Sequence, residues 1–160
     1  MTDLIERIED TIKVDAYQFM LMDNDGSANR PASALAIEDL GAQLKNPDVW
    51  FVATANIAIV KSNVADWHVA DVALELWDGH PPADDKGWIK SVTTQMYCSS
   101  GRMLLVQTLG RPSRKSLNLR AADRTWSVRC SLGPGKGERY IEDGPPQGLE
   151  SYRLQFWPSL

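Results

Sequence analysis

From Ala70 to Trp77 the chain alternates without a break. Ala70, Val72, Leu74 and Leu76 share one parity, while Asp71, Ala73, Glu75 and Trp77 share the other. A period of two with aliphatics on one side specifies a β-strand with one buried and one wet face. The whole stretch Trp67–Trp77 thus reads as a strand whose dry side the rest of the chain must cover. Other runs repeat the pattern. Trp88 to Cys98 groups Val92, Thr94, Met96 and Cys98, and Thr125 to Leu132 turns Trp126, Val128, Cys130 and Leu132 inward. Tyr152 to Trp157 groups Tyr152, Leu154 and Phe156 before Pro158 ends it. Val49–Thr54 and Ile57–Val60 read as two strands separated by a kink at Ala55–Asn56. Ile12 to Met22 changes parity midway, with Ile12 and Val14 on one side and Tyr17, Phe19 and Leu21 on the other; this predicts a bulge near Asp15–Ala16.

Turn chemistry punctuates these runs. Asp23-Asn24-Asp25-Gly26 and Gly79-His80-Pro81-Pro82 end strands, and Ser99-Ser100-Gly101 predicts a hairpin joining Trp88–Cys98 to Arg102–Thr108. Gly110 to Lys115 reads as a basic loop before the short segment Ser116–Leu119. Helical spacing occurs twice: Pro31–Leu44, with Leu35, Ile37, Leu40 and Leu44, and Thr2–Asp10, with Thr2 as cap. About eight short strands at regular spacing, with turns rich in glycine and proline, predict a mainly β fold: an antiparallel β-sandwich with one or two short helices. It is expected to form one domain over residues 1–160, with an N-terminal helix within residues 1–11.

At 160 residues and 43% hydrophobic content the chain can bury one core of its own. Its longest apolar run, Val49 to Ala55, is too short for a bilayer span, and its acidic N-terminus matches neither a secretory signal nor a transit peptide. A cytoplasmic protein without membrane contact is expected. Cys98 and Cys130 then read as buried, reduced thiols.

Charge is distributed unevenly. Residues 1–88 hold 16 acidic and 6 basic side chains, whereas residues 89–160 hold 5 and 11, for a net charge of −4. Between Arg111 and Arg129 only Asp123 opposes Arg111, Arg114, Lys115, Arg120, Arg124 and Arg129. Such asymmetry marks either an acidic surface for a basic partner or a basic one for a phosphate backbone. It also arises where strands of both halves interleave and neutralise each other.

Motifs for chemistry are sparse. The Asp23-x-Asp25-Gly26 string lacks the acidic ligand that would close a calcium loop, and Gly133-Pro134-Gly135-Lys136-Gly137 lacks the serine or threonine of a phosphate loop. The cysteines and the two histidines, His68 and His80, do not have zinc-site spacing. Neither histidine has a sequence-local acid or nucleophile, and Asp84–Asp85 reads as a solvated loop pair. A non-enzymatic protein without metal or cofactor is expected, unless His68 or His80 meets a carboxylate or a cysteine in a cleft. The outward parity of the Trp67–Trp77 strand, with Asp71, Glu75 and Trp77, is the candidate partner-binding stripe. Trp77 and Trp157 are either exposed anchors or covered by a loop.

Several segments together resemble the competence protein J (ComJ) family. They are the Tyr17-Gln18-Phe19 strand, Leu35–Gly41 ahead of Val49–Thr54, a central strand pair, the Val128-x-Cys130 step and the last hydrophobic strand. The resemblance spans Ile12 to Trp157; the N-terminal segment and the longer loops depart from it. It implies a β-sandwich without cofactor that binds a DNA-entry nuclease and blocks its cleft, with no residue of known inhibitory role to carry over. An inhibitor or immunity protein for a basic nuclease or toxin is therefore the expected function. The alternative is a binder of nucleic acid or phosphate ligands using residues 111–129.

Overall fold

The computed structural model describes residues 1–84, 86–137 and 144–160. Ten strands and one helix occur among them: β1 (Leu4–Asp15), β2 (Gln18–Asp23), α1 (Ile37–Gln43), β3 (Phe51–Thr54), β4 (Ile57–Lys61), β5 (Trp67–Trp77), β6 (Lys90–Cys98), β7 (Arg102–Gln107), β8 (Leu117–Asn118), β9 (Arg124–Pro134) and β10 (Gln147–Pro158).

The strands form two limbs around one interior. β3-β4-β2-β7-β8 makes the first and β1-β5-β10-β9-β6 the second. They join at the β1–β2 corner, where Asp15 pairs with Gln18. Ala16 and Tyr17 both take positive φ, 54° and 65°, as a two-residue turn matching strand twist requires. The parity change read as a bulge is thus a chain reversal. At the opposite side β3 and β6 approach, with Asn56 N–H donating to the Tyr97 carbonyl at 2.7 Å and the Lys90 ammonium 4.7 Å from the Trp50 ring centre.

The result is a nearly closed, barrel-like sheet of mixed strands in place of the expected plain antiparallel sandwich of about eight. β10 runs parallel to β5, with Leu154 beside Leu74 and Phe156 beside Leu76. Periodicity identifies a strand's dry face but not its neighbours. β5 takes both neighbours from the chain's distant ends. Similarly, β6 and β7 are consecutive but do not pair; β6 joins β9 and β7 joins β2 and β8. The Ser99–Gly101 segment is a corner between limbs, not a hairpin.

The N-terminal helix is replaced by β1, which pairs with β5 from Leu4↔Trp77 to Asp15↔Trp67. A nine-residue helix is marginal alone, whereas this segment fills an open edge of the organising strand. Only Ile37–Gln43 of the expected Pro31–Leu44 helix is helical.

The interior lies between the limbs. Phe19, Leu21, Phe51, Val60, Met103 and Leu105 face Val14, Ala70, Val72, Leu74, Val128, Leu154 and Phe156. Phe19 meets Tyr152 edge to face at 5.2 Å across it. A smaller core outside the first limb joins Leu40 and Leu44 of α1 and its C-cap to Val52, Ile57 and Ile59. Asp23 clamps one end of the barrel: its carboxylate accepts the N–H groups of Asp25, Ser100 and Gly101 at 2.9, 3.1 and 2.8 Å and the Ser100 hydroxyl at 2.6 Å. The Asp23–Gly26 string is therefore a buried polar clasp. Cys98 and Cys130 are free and buried, and burial pushes both thiols well above their usual range. Cys130 pairs with Val92 whereas Cys98 pairs with Arg124; six residues of strand, roughly 20 Å, separate them.

Candidate functional site

The outer face of the second limb carries Arg7 and Glu9 of β1, Asp71, Ala73, Glu75 and Trp77 of β5, and Ser151, Arg153 and Gln155 of β10. Pairing aligns Arg7 with Glu75 and Gln155 with Glu75 across three adjacent strands. The Glu75 carboxylate accepts Arg7 Nη1 at 2.5 Å, Trp77 Nε1 at 2.8 Å and Gln155 Nε2 at 2.9 Å.

This part of the face is not wet. Glu75 is 3% exposed and Gln155 2%, because residues 78–84 and 86–89 fold back over this part of the face. The Pro82 carbonyl accepts Arg129 Nη2 at 3.1 Å, and Asp84 pairs with Arg153 at 3.3 Å. Trp88 lies 4.4 Å over the Arg153 guanidinium, and its ring sits against Gly133, where a side chain would clash. His80 stacks edge to face on Trp157 at 5.0 Å, so Trp157 is buried by the loop. The Asp84 carboxyl is held below its usual range by the Lys86 N–H and by Arg153; Asp85 lies outside the described residues.

The three stripe residues therefore part company. Glu75 ties three strands together from within, and Trp77 is half-buried and bonded to it. Asp71 lines a cleft of about 180 Å³ with Arg7, Glu9, Asp10 and Lys136, and Trp88 of the covering segment forms part of its wall. Arg7 holds the Glu9 carboxyl below its usual range, with Lys136 and Lys115 adding to the effect. Asp10 accepts the Ser113 hydroxyl. A helical assignment of residues 2–10 hides Glu9. The alternation of Ile8, Ile12 and Val14 against Arg7, Glu9, Thr11 and Lys13 is the signal that places it on the outer face, with Asp10 on the opposite parity.

His68 does face a carboxylate. Its Nε2 lies 3.1 Å from Ser62 Oγ and 3.5 Å from Glu150 Oε1. Ser62 donates to Glu150, and so does the Tyr152 hydroxyl at 2.9 Å. The composition suggests a serine–histidine–acid triad, but the geometry does not match one. A triad places the acid on Nδ1 and the hydroxyl on Nε2. Here both meet Nε2, Nδ1 has no partner among the described residues, and the imidazole is 0% exposed. This is a buried polar cluster within the barrel, not an open cleft.

The basic run from Arg111 to Arg129 does not form one stripe. Arg129 donates to Gln155 and Pro82 on the covered face, and Lys115 Nζ donates to the Glu9 carbonyl at 2.6 Å. Arg120 and Arg124 sit at the end of the barrel. The two halves of the chain interleave, and the Arg153–Asp84 pair shows opposite charges meeting across them. No group of three or more histidine, cysteine or acidic side chains suited to a metal occurs among the described residues, nor does any helix long and apolar enough to cross a membrane.

These features define a barrel-like β domain with a charged cleft on its outer wall. Two solved structures share that fold along nearly their whole length. ComJ from Bacillus subtilis, an inhibitor of the DNA-degrading activity of NucA, matches with a TM-score of 0.58 at 11% identity, covering 99% of each chain. The crocagin biosynthetic gene J product matches with a TM-score of 0.59 at 18% identity, covering 97% of this chain and 98% of its own. The weak resemblance to ComJ read from the sequence is thus present in the fold. No protein-family model matches the chain, and no curated protein matches it.

Proposed function

We propose that this protein is a non-catalytic binding module that inhibits a nuclease, as an inhibitor or immunity protein. The end-to-end likeness to ComJ carries this reading, because it extends over both limbs and their connections rather than one supersecondary unit. The partner is a basic nuclease. A cleft that binds phosphates presents arginines and lysines, and carboxylates on a rigid wall complement them.

Asp71, with Glu9 on the neighbouring strand of the same face, is the carboxylate group best placed for that contact, and Trp77 lies further along the same face of β5. Glu75 supports the surface from beneath. The nucleic-acid alternative has less support, since two cations of the 111–129 run are committed within the fold.

Affinity capture from the native host tests the proposal. It is expected to recover a nuclease whose binding weakens as ionic strength rises, while filter binding of DNA to the protein alone gives no signal at low salt. Capture of partners without nuclease activity, or tight DNA binding, would count against it.

A further inference from the structure

The end of the barrel where β5 and β10 finish and β9 begins contains a second cleft, of about 270 Å³. Its wall is apolar, formed by Ile5, Leu76, Leu119 and the ring of Trp126, with Arg120 and Arg124 beside them. The loop that carries the two arginines is anchored on three sides. Leu119 N–H donates to the Gly101 carbonyl at 2.7 Å, Asp123 N–H to the Ser99 carbonyl at 2.9 Å, and Arg120 N–H to Asn118 Oδ1 at 2.9 Å. The hollow is therefore preformed.

Two observations indicate what it accepts. Neither Arg120 nor Arg124 makes an ion pair with a described residue. Arg124 lies 5.1 Å over the Trp126 ring, so a cation is held against an apolar wall. The Trp126 Nε1 is sealed from the surface, with no acceptor among the described residues, so the indole reports on the wall of the cleft without contacting an occupant. The rim also holds the Asp78 carboxylate, which accepts the Asp3 N–H at 2.8 Å; the two guanidiniums outnumber it. Apolar walls with a few convergent donors describe small-molecule sites, and barrel mouths commonly hold them.

We propose that this cleft binds a small organic carboxylate with a compact apolar body. The body packs on Ile5, Leu76 and Leu119, and the anion meets Arg120 and Arg124 beside the Trp126 ring. The proposal is independent of nuclease inhibition.

The test uses the full chain, labelled with ¹⁵N, and the indole N–H resonances, with that of Trp126 assigned through Trp126→Phe. The probes are 3-phenylpropionate, 3-phenylpropan-1-ol and a peptide ending in phenylalanine carboxylate. Phenylpropionate is expected to move the Trp126 resonance saturably, the alcohol at least tenfold more weakly. Arg120→Gln with Arg124→Gln should weaken the acid at least tenfold while leaving the melting temperature unchanged. An unmoved Trp126 resonance, equal binding of acid and alcohol, or full affinity in the double variant would each overturn the proposal. Tighter binding of the peptide than of the free acid would overturn the small-molecule assignment.

Discussion

Replacing Glu75 with alanine separates a structural brace from a docking residue. The substitution removes the acceptor of three donors. The Gln155 amide, at 2% exposure, cannot turn to water, and stranding a buried donor costs about 1–3 kcal/mol. The Trp77 indole is half-buried and recovers part of its loss by hydration. Arg7 is 41% exposed at its side chain, so its charge rehydrates and its share is small. Together these give a destabilisation of roughly 2–4 kcal/mol. Glu75→Gln keeps one carbonyl oxygen for Gln155 and Trp77 and should cost about half as much. Equilibrium urea unfolding followed by tryptophan fluorescence and circular dichroism measures both. An alanine variant within about 0.5 kcal/mol of the parent, the usual range of a surface substitution, would refute this account of Glu75.

Three further outcomes follow from the same structure. Asp23→Ala should destabilise by roughly 3 kcal/mol or more, since it strands the N–H groups that hold the Ser100–Gly101 corner; a chemical denaturation midpoint close to the parent's would contradict the clasp. Gly101→Ala should be far worse than Gly87→Ala. Both glycines take positive φ, but a Cβ at Gly101 meets the Ala121 carbonyl oxygen at 2.1 Å and one at Gly87 meets nothing, so Gly87→Ala should cost only about 1–2 kcal/mol; similar melting temperatures would count against the corner geometry. Burial holds the His68 imidazole below its ordinary value of 6.5, with Glu150 pulling the other way. The unfolded chain then takes up a proton the folded chain refuses. The His68 contribution is complete above pH 6.5 and is lost as pH falls below it, by at most about 1.4 kcal/mol per unit. His68→Gln should flatten that slope in denaturation series between pH 7 and 5; an unchanged slope would show that His68 is not its source.

Strand-forming segments were legible because their side chains obey a period of two whatever their neighbours. Trp126, Val128, Cys130 and Leu132 turn inward as the alternation required, as do Ala70, Val72, Leu74 and Leu76. Partners were not legible. Nothing local in Leu154 or Phe156 specifies a parallel neighbour, and nothing in Ser99–Gly101 distinguishes a corner from a hairpin. In β1, Leu4, Ile5 and Ile8 satisfied a helical spacing, while Ile8, Ile12 and Val14 satisfied the strand period over a longer stretch. The open edge of β5 resolves that conflict in favour of the strand.

The candidate surface shows the same division. Parity placed Asp71, Glu75 and Trp77 on one face, and they do share it. It could not show that residues 78–84 and 86–89 return across Glu75 and bring Trp88 to the wall of the Asp71 cleft, because that depends on Arg129, Arg153 and Gly133, far away in sequence. Likewise Ser62, His68 and Glu150 meet only through the pairing of β5 with β10.

Inhibition through the charged outer wall around Asp71 is tested by titrating a nuclease with this protein. The nuclease is the one encoded beside the gene or captured from the host, and the readout is degradation of plasmid DNA. Stoichiometric loss of cleavage is predicted, with Asp71→Lys at least tenfold weaker at unchanged stability, since a reversed charge meets a basic cleft. Undiminished cleavage at a large molar excess of the folded protein would contradict the account.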